Sequence, residues 1–196
     1  MIIGITGSIG CGKTTVAKLF EKFNYHRIDA DKISHQLMKR DSEAYNNIVS
    51  EFGNEILDRS KNIVRTELGD LVFNDTRKLK KLSKIMHPLI LKEIKNKIIQ
   101  MQKRFQDKTK IVVDAPLLLE TKSGSFVDKI VVVKADKNKV VKRNKKFSNG
   151  QIERILKSQM PLNEKVKHAD FVIDNNSDFK HLETKVKNLI KTIEKI

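Results

Sequence analysis

The sequence predicts an α/β fold built on a doubly wound, parallel five-stranded sheet with a helical insertion. Short, nearly all-apolar runs, typical of parallel strands covered on both faces, alternate with helical patterns along the 196 residues. A glycine-rich segment joins the first of these runs to the first helix. Strands and helices that alternate around such a segment favour this fold class.

The predicted strands follow directly from the apolar runs. They are residues 1–6, 25–31, 111–114, 129–133 and 171–174. Helical apolar spacing recurs between residues 32 and 105, whereas a crossover between parallel strands needs only about a dozen residues or a little more. We therefore expect this block to be a helical insertion, and we expect a last helix from about residue 179.

The segment from Gly7 to Thr14 reads G-x-x-x-x-G-K-T, the phosphate-binding P-loop. It follows a β-branched run and opens an amphipathic helix, which is the context that the motif requires. Backbone N–H groups and the positive end of the helix dipole would hold the phosphates of a nucleoside triphosphate, with Lys13 on the β- and γ-phosphates and Thr14 on Mg²⁺. The alternative is a glycine-rich turn that merely joins a strand to a helix. The residues expected to bind the nucleotide are Gly7, Ser8, Ile9, Gly10, Cys11, Gly12, Lys13, Thr14 and Thr15.

The composition narrows the partners. Lys and Arg number 40 against 24 Asp and Glu, so the formal net charge is +16. Positive potential attracts nucleic acid, anionic membrane and phosphorylated small molecules alike. The lysines are scattered and no nucleic-acid-binding module stands out, so we expect a solvated basic surface with no specific nucleic-acid partner. No apolar run reaches the ~20 residues that span a bilayer, so we expect no membrane partner.

Cysteine usage bears on the compartment. The single cysteine, Cys11, excludes an internal disulfide and agrees with a cytoplasmic protein. Nothing at the start of the chain resembles a signal peptide. We expect a cytoplasmic protein that is a monomer or a weak homo-oligomer.

Asp114 ends the third predicted strand, at the carboxyl edge of the sheet where ligands bind in such folds. A carboxylate at this place can hold Mg²⁺ directly or through water. The alternative is an ordinary strand-ending Asp that starts a turn before Pro116. With a P-loop in the same chain, we favour the magnesium role.

Two acids, Asp29 and Asp31, end the second predicted strand. Phosphoryl transfer to a hydroxyl group needs a carboxylate within hydrogen-bond reach, to orient the hydroxyl and accept its proton. We expect at least one of the two to point into the cleft. Asp31 could instead cap the helix that follows, and the pair could divide the two tasks.

A basic segment after the fourth strand is a candidate lid. Small kinases close a short helical lid that brings positive charge onto the transferring phosphoryl group and excludes water. Arg143 is the first candidate for this cation and Arg154 the second. Exposed surface cations are the alternative for each residue. Lysines make the segment strongly basic whichever residue acts, namely Lys142, Lys145 and Lys146.

Several segments together resemble the dephospho-CoA kinase family along nearly the whole chain. The P-loop alone is widely shared, but the Asp-Ala-Asp segment at 29–31, His-Pro-Leu-Ile at 87–90 and Asp-Ala-Pro-Leu-Leu at 114–118 are much more selective in combination. The remaining similarity lies at 4–17, 28–35, 113–120, 159–165 and 169–175, and at Arg65, Leu68 and Phe73.

The resemblance implies a P-loop kinase that transfers the γ-phosphate of ATP to the ribose 3′-hydroxyl of dephospho-CoA, with Mg²⁺ as cofactor. It implies that Asp31 is the catalytic base, assisted by Lys13 and Arg143, and that Asn175 lies by the adenine. Dephospho-CoA would contact Asp31, Arg65, His87, Asp114, Pro116 and Leu117. The implied domains are a nucleotide-binding core of 1–34 and 106–196, a CoA-binding insertion of 35–105 and a lid of 143–160.

Two positions depart from the family pattern. Members commonly carry a second lid arginine shortly after the one matched by Arg143, but residues 144–148 offer only lysines, which lack the forked geometry of arginine. Cys11 stands where serine is more usual. A thiol at a helix N-terminus beside Lys13 is expected to have a lowered pKa and raised reactivity. The alternative is an inert small residue.

Other functions are compatible with the P-loop alone. A kinase acting on nucleosides or shikimate would share the P-loop and the lid, but not the three selective segments in this order. A basic P-loop protein could also bind nucleic acid or act as a GTP switch, although the guanine-specific Asn-Lys-x-Asp segment is absent. These readings predict different phosphoryl acceptors, or none.

Overall fold

The structure is a computed structural model that describes residues 1–105, 109–121, 123–144 and 148–195. Its strands are β1 (Ile2–Gly7), β2 (His26–Asp29), β3 (Ile111–Asp114), β4 (Lys129–Lys134) and β5 (Phe171–Asp174). Its first helices are α1 (Lys13–Glu21), α2 (Ala30–Leu37), α3 (Glu43–Phe52), α4 (Arg65–Phe73) and α5 (Thr76–Phe105). The later helices are α6 (Lys137–Arg143), α7 (Asn149–Ser158), α8 (Leu162–Lys167) and α9 (Phe179–Ile193).

The five strands form one parallel sheet in the order β2-β3-β1-β4-β5. This confirms the predicted doubly wound sheet. The register pairs Ile5 with Asp114, Asp114 with Asp29 and Gly7 with Val133. The carboxyl ends of the central strands therefore lie side by side at one edge of the sheet.

The three central strands are the most deeply buried part of the chain. Every residue of β3 is buried, as are Ile3–Gly7 of β1 and Val131–Val133 of β4. Helices cover both faces of a parallel sheet, so these strands need apolar side chains at successive positions rather than at alternate ones. This explains why continuous apolar runs predicted them.

The strand order also locates a crevice at the carboxyl edge. The connection that leaves β1 leads to β2 on one side of the sheet, and the connection that leaves β4 leads to β5 on the other side. Ligands bind in doubly wound folds where neighbouring strands send their connections in opposite directions. The P-loop follows β1 and therefore lies at this crevice.

The chain divides into two compact units. The first unit combines Met1–Asp29 with the residues from Lys97 onward, and the second is Ala30–Asn96. In the first unit, α1 and α9 pack on the sheet around a core that includes Phe20, Val186 and Ile190. The second unit contains α2, α3, α4 and most of α5. Its own core brings together Ile48, Phe52, Leu68, Val72 and Met86, among others.

Some boundaries differ from the sequence predictions. The strand β2 ends at Asp29 because α2 already begins at Ala30, so Asp31 lies in the first turn of a helix rather than at a strand end or a helix cap. The helix α5 continues through Pro88, although proline removes one backbone hydrogen bond from a helix. No described helix combines the length and apolar character needed to span a membrane.

Candidate active site

The P-loop forms the turn between β1 and α1. Gly10 and Gly12 adopt left-handed backbone conformations with φ of 71° and 90°, which glycine adopts without steric cost. A Cβ atom on Gly10 would overlap the side-chain amide of Asn144, and one on Gly12 would overlap that of Asn175. The turn therefore requires glycine at both positions, for backbone conformation and for space.

The start of α1 is suited to an anion. The N-cap residue is Gly12, and no side-chain hydrogen bond caps the helix among the described residues. The first N–H groups of a helix have no partner within the helix, and the helix dipole adds partial positive charge at the same place. The side chain of Thr14 is exposed in this turn. This geometry is that of a phosphate-binding helix N-terminus.

Lys13 and Asp114 form a buried ion pair at the crevice. The Lys13 Nζ donates to Asp114 Oδ1, and the two side chains are 8% and 1% exposed. The structure thus brings together a predicted phosphate ligand and a predicted magnesium ligand that lie 101 residues apart in the sequence. Asp114 is not merely a turn-starting residue, because its carboxylate pairs with the P-loop lysine.

Arg27 of β2 is the second partner of Asp114. Its Nη1 lies 3.1 Å from Asp114 Oδ2 and 3.0 Å from Asp29 Oδ2, and its Nε lies 3.3 Å from Glu21 Oε2. The arginine side chain is 15% exposed. Asp29 is therefore a partner of Arg27 at the edge of the sheet, and both oxygens of Asp114 are bound to cations.

Cys11 behaves differently from the sequence hypothesis. Its side chain is 1% exposed and belongs to the apolar core of the first unit. Burial raises the pKa of the thiol, and the opposing effects of Lys13 and of a backbone hydrogen bond are smaller. The expected lowering of the pKa is wrong, because loss of hydration of the thiolate outweighs the nearby positive charge.

Asn175, directly after β5, and Arg143, at the end of α6, both contact the backbone of the P-loop. The Asn175 Nδ2 donates to the carbonyl oxygen of Cys11 at 2.8 Å, and Asn175 is 6% exposed. The guanidinium of Arg143 donates to the carbonyl oxygens of Asn175 at 3.0 Å and of Cys11 at 3.5 Å. The predicted lid cation and the residue predicted to lie by the adenine thus meet at one carbonyl of the loop.

The structure describes two of the other candidate lid cations. Arg154 is exposed in α7, and Lys142 is exposed in α6. Lys145 and Lys146 lie outside the residues that the structure describes. Within the described part of the candidate lid, Arg143 is the cation that contacts the P-loop backbone.

Pro116 and Leu117 follow β3 and are half-buried. The Pro116 carbonyl oxygen accepts hydrogen bonds from Thr6 Oγ1 at 3.1 Å and from Lys165 Nζ at 2.7 Å. The Leu117 carbonyl oxygen accepts from Thr121 Oγ1 at 2.7 Å. The backbone of this predicted acceptor segment is therefore held rigidly against β1.

Three predicted acceptor residues lie in the second unit. Asp31 is exposed in the first turn of α2. Arg65 begins α4, and its Nη1 lies 3.4 Å from His35 Nδ1. His87 is half-buried in α5, directly before Pro88. The predicted acceptor set is thus divided between the two units.

Sequence reasoning missed four polar residues of this site. Arg27, Asn144, Gln159 and Lys165 each contact a residue of the P-loop, of the strand ends or of the segment after β3. A charged residue inside a predicted strand was a usable signal for Arg27. The other three give no such signal, because their partners at the site lie 45 or more residues away in the chain.

Comparison with known proteins gives a consistent result. The model of the dephospho-CoA kinase family matches residues 1–181. The chain is 38% identical to the dephospho-CoA kinase of Aquifex aeolicus over 97% of its own length and 96% of that protein. It is 39% identical to that of Fusobacterium nucleatum over 98% of both. The structure is similar to that of the Campylobacter jejuni dephospho-CoA kinase, with a TM-score of 0.70, 29% identity and coverage of 99% and 97%.

Proposed function

The chain belongs to the dephospho-CoA kinase family, and from this premise we propose that it transfers the γ-phosphate of ATP to the ribose 3′-hydroxyl of dephospho-CoA. The products are ADP and coenzyme A. The observation that carries the proposal is the P-loop, which stands at the carboxyl edge of the sheet in a chain that matches this family over residues 1–181.

The P-loop and Lys13 would bind the donor. ATP phosphates would accept hydrogen bonds from N–H groups at the start of α1, and Lys13 would exchange Asp114 for the β- and γ-phosphates. Arg27 makes this exchange possible. It stays bound to Asp114 Oδ2 when Lys13 leaves Oδ1, so the buried carboxylate is never left without a cation.

Magnesium fits the donors that the chain offers. The hydroxyl of Thr14 and the carboxylate of Asp114 are hard oxygen donors at the same crevice. Within the described ranges, no group of three His, Cys, Asp or Glu side chains could hold a metal by itself. Thr14 and Asp114 would hold the Mg²⁺ ion, Asp114 directly or through water. The ion would neutralise charge on the transferring phosphoryl group.

Asp31 would act on the acceptor. Its carboxylate would orient the ribose 3′-hydroxyl and accept its proton while the hydroxyl oxygen forms a bond to the γ-phosphorus. The bond from that phosphorus to the β,γ-bridging oxygen breaks at the same time, and ADP leaves with the electron pair. The exposure of Asp31 supports this role, because a base has to be open to its substrate.

The remaining predicted residues belong to the proposed insertion, core and lid. Arg65 and His87 would bind dephospho-CoA within a helical CoA-binding segment of residues 35–105, together with Pro116 and Leu117 from the core of 1–34 and 106–196. Residues 143–160 would close as a lid. Arg143 would assist the transfer as the lid cation on the phosphoryl group, supported by its contact with the P-loop at the Cys11 carbonyl, and Asn175 would lie by the adenine.

The acceptor is tested by measuring ADP release from ATP with dephospho-CoA, adenosine, AMP, shikimate or no acceptor. We expect stimulation by dephospho-CoA alone, with a product whose new phosphate is on the ribose 3′-oxygen. No stimulation by dephospho-CoA would overturn the proposal. Omission of Mg²⁺ should abolish the stimulated rate, and its restoration should recover it.

A further inference from the structure

Lys165 is a fully buried lysine that the proposed mechanism does not use. It lies in α8 and is 0% exposed. Its Nζ donates to the Pro116 carbonyl oxygen at 2.7 Å and lies 2.9 Å from Glu120 Oε1. Lysine is almost never fully buried unless it is paired, so this ammonium group and its partners form a fixed anchor.

The anchor holds the segment that joins α7 to α8. The same Glu120 Oε1 accepts a hydrogen bond from the backbone N–H of Met160 at 2.9 Å. Pro116 is itself tied to β1, because its carbonyl oxygen also accepts from Thr6 Oγ1 at 3.1 Å. Met160, directly after Gln159, is therefore connected through partly buried polar contacts to the central strand of the sheet.

The neighbouring side chain, Gln159, reaches the P-loop. Its Oε1 accepts a hydrogen bond from the backbone N–H of Ile9 at 3.2 Å. A backbone N–H can only donate, so the atom that faces it is the amide oxygen. In the described structure no side chain caps the N-terminus of α1. Gln159 thus supports the loop at Ile9 and leaves the start of α1 for phosphate.

We propose that the Lys165–Glu120 anchor fixes Gln159 against Ile9 and thereby makes Gln159 a positioning residue for phosphoryl transfer. The inference rests on the proposed function, because the loop that Gln159 supports would hold the phosphates of ATP. Gln159 acts through the backbone of Ile9. A misplacement of about 1 Å in such a loop is enough to lower the rate strongly.

The first test is Gln159→Met, which keeps the length of the side chain and removes the acceptor. We expect kcat/KM for ATP to fall about tenfold or more, with the KM for dephospho-CoA unchanged. Hydrogen exchange at the Ile9 amide should become faster, because that N–H loses its partner. Exchange at Cys11, whose N–H is bonded to the Ser8 carbonyl oxygen at 3.2 Å, should stay the same.

The anchor is tested by replacing both of its members. Loss of Lys165 alone would leave an uncompensated buried charge and could unfold the chain, whereas an apolar replacement of both partners is often tolerated. Lys165→Met combined with Glu120→Leu should therefore reproduce the loss seen in Gln159→Met. Adding Gln159→Met to this pair should cause no further loss. Multiplied losses would show that the two act independently and would overturn the anchor.

Lys110→Met is the control variant. It breaks an exposed ion pair between Lys110 and Glu194 in the same unit, and it should leave the kinetic constants and the amide exchange rates unchanged.

The acceptor assay and the Ile9 exchange measurement separate this inference from the proposed function. If dephospho-CoA does not stimulate ADP release by the unaltered enzyme, the proposed function is wrong. The Ile9 exchange experiment then still tests whether Gln159 supports the loop. Unchanged Ile9 exchange in Gln159→Met would overturn the inference, as would faster exchange with unchanged kcat/KM for ATP.

Discussion

In the proposed mechanism, Lys13 would exchange its ion pair with Asp114 for contacts with the phosphates of ATP. In the structure it neutralises Asp114 inside the protein, where an unpaired carboxylate would be costly. The triphosphate carries more negative charge than one carboxylate, and backbone N–H groups at the start of α1 would also bind it. In the proposed exchange, Arg27 would keep its contact with Asp114. Two cations, Lys13 of α1 and Arg27 of β2, would thus share two negative partners, namely Asp114 of β3 and the phosphates of the substrate.

Asp31→Asn should separate donor binding from catalysis. The amide cannot accept the proton of the ribose hydroxyl, so turnover should fall roughly a hundredfold or more, while ATP binding stays the same. Steady-state kinetics and calorimetric binding of an ATP analogue measure the two effects. Asp41→Asn is the control, because Asp41 is an exposed acid of the same unit whose φ of 66° asparagine tolerates. Near-normal turnover of Asp31→Asn would remove Asp31 from the role of base.

Cys11 should react slowly in the folded enzyme. Its pKa is raised by burial and its side chain is 1% exposed, so both the thiolate fraction and access are low. At pH 8, iodoacetamide should modify the native chain at least about tenfold more slowly than the denatured chain. Mass spectrometry reads the result without ambiguity, because the chain has one cysteine. Equal rates would contradict the burial of the thiol.

The same pKa shift has a consequence for stability. In the unfolded chain Cys11 begins to lose its proton near the ordinary value of 9.0, whereas the folded chain keeps the thiol neutral to higher pH. Its contribution to folding is therefore fully present below pH 9 and decreases as the pH rises above it. Denaturant unfolding of Cys11→Ala should show a shallower loss of stability above pH 9 than the unaltered chain.

Among the structural elements, the turn between β1 and α1 carries the most specific backbone requirement. Gly10 and Gly12 supply left-handed conformations, and the side-chain amides of Asn144 and Asn175 fill the space beside them. The turn is thus shaped by its own sequence and by residues that return to it from α6 and from the end of β5. Its shape, in turn, directs the N-terminus of α1 into the crevice.

Gly12→Ala should destabilise this turn by more than the cost of the left-handed backbone conformation alone. A left-handed conformation at a residue other than glycine costs about 1–3 kcal/mol. The new Cβ atom would in addition overlap the Asn175 amide. We expect affinity for ATP to fall at least about tenfold, a loss of about 1.4 kcal/mol, as measured by calorimetry.

Gly53→Ala is a control for that experiment with a backbone cost at least as large. Gly53 has a φ of 80° and a ψ of −176°, a region that essentially only glycine adopts, but a Cβ atom there would meet nothing within 4 Å. It should show the backbone cost in a denaturant unfolding experiment and keep its affinity for ATP. Equal loss of affinity in both variants would mean that the overlap with Asn175 has no effect on the site.

Considered as a whole molecule, the chain has two compact units, and the P-loop lies in the first. Mg·ATP at about 100 times its dissociation constant should add about 2.7 kcal/mol to the stability of the state that binds it. For a chain of this size that corresponds to roughly 5–10 °C in the melting temperature. Scanning calorimetry with and without Mg·ATP measures the shift.

Lys13→Met is the control for this thermal shift, because it removes the cation that would bind the β- and γ-phosphates. The variant should lose most of the increase caused by Mg·ATP. If the two units melt separately, only the transition of the first unit should move. A shift of equal size in Lys13→Met would show that Mg·ATP stabilises the chain at some other place.

The sequence by itself determined the fold class, the P-loop and the family. Strands buried on both faces and amphipathic helices leave local periodic patterns, and the phosphate turn needs glycines at fixed spacing. Tertiary structure alone decided the environment of the side chains. Lys13 meets Asp114 across 101 residues, Gln159 meets Ile9 across 150, and Asn175 meets Cys11 across 164. Burial by distant segments also raised the pKa of Cys11. Desolvation and ion pairing depend on what surrounds a side chain in space, and local sequence does not record this.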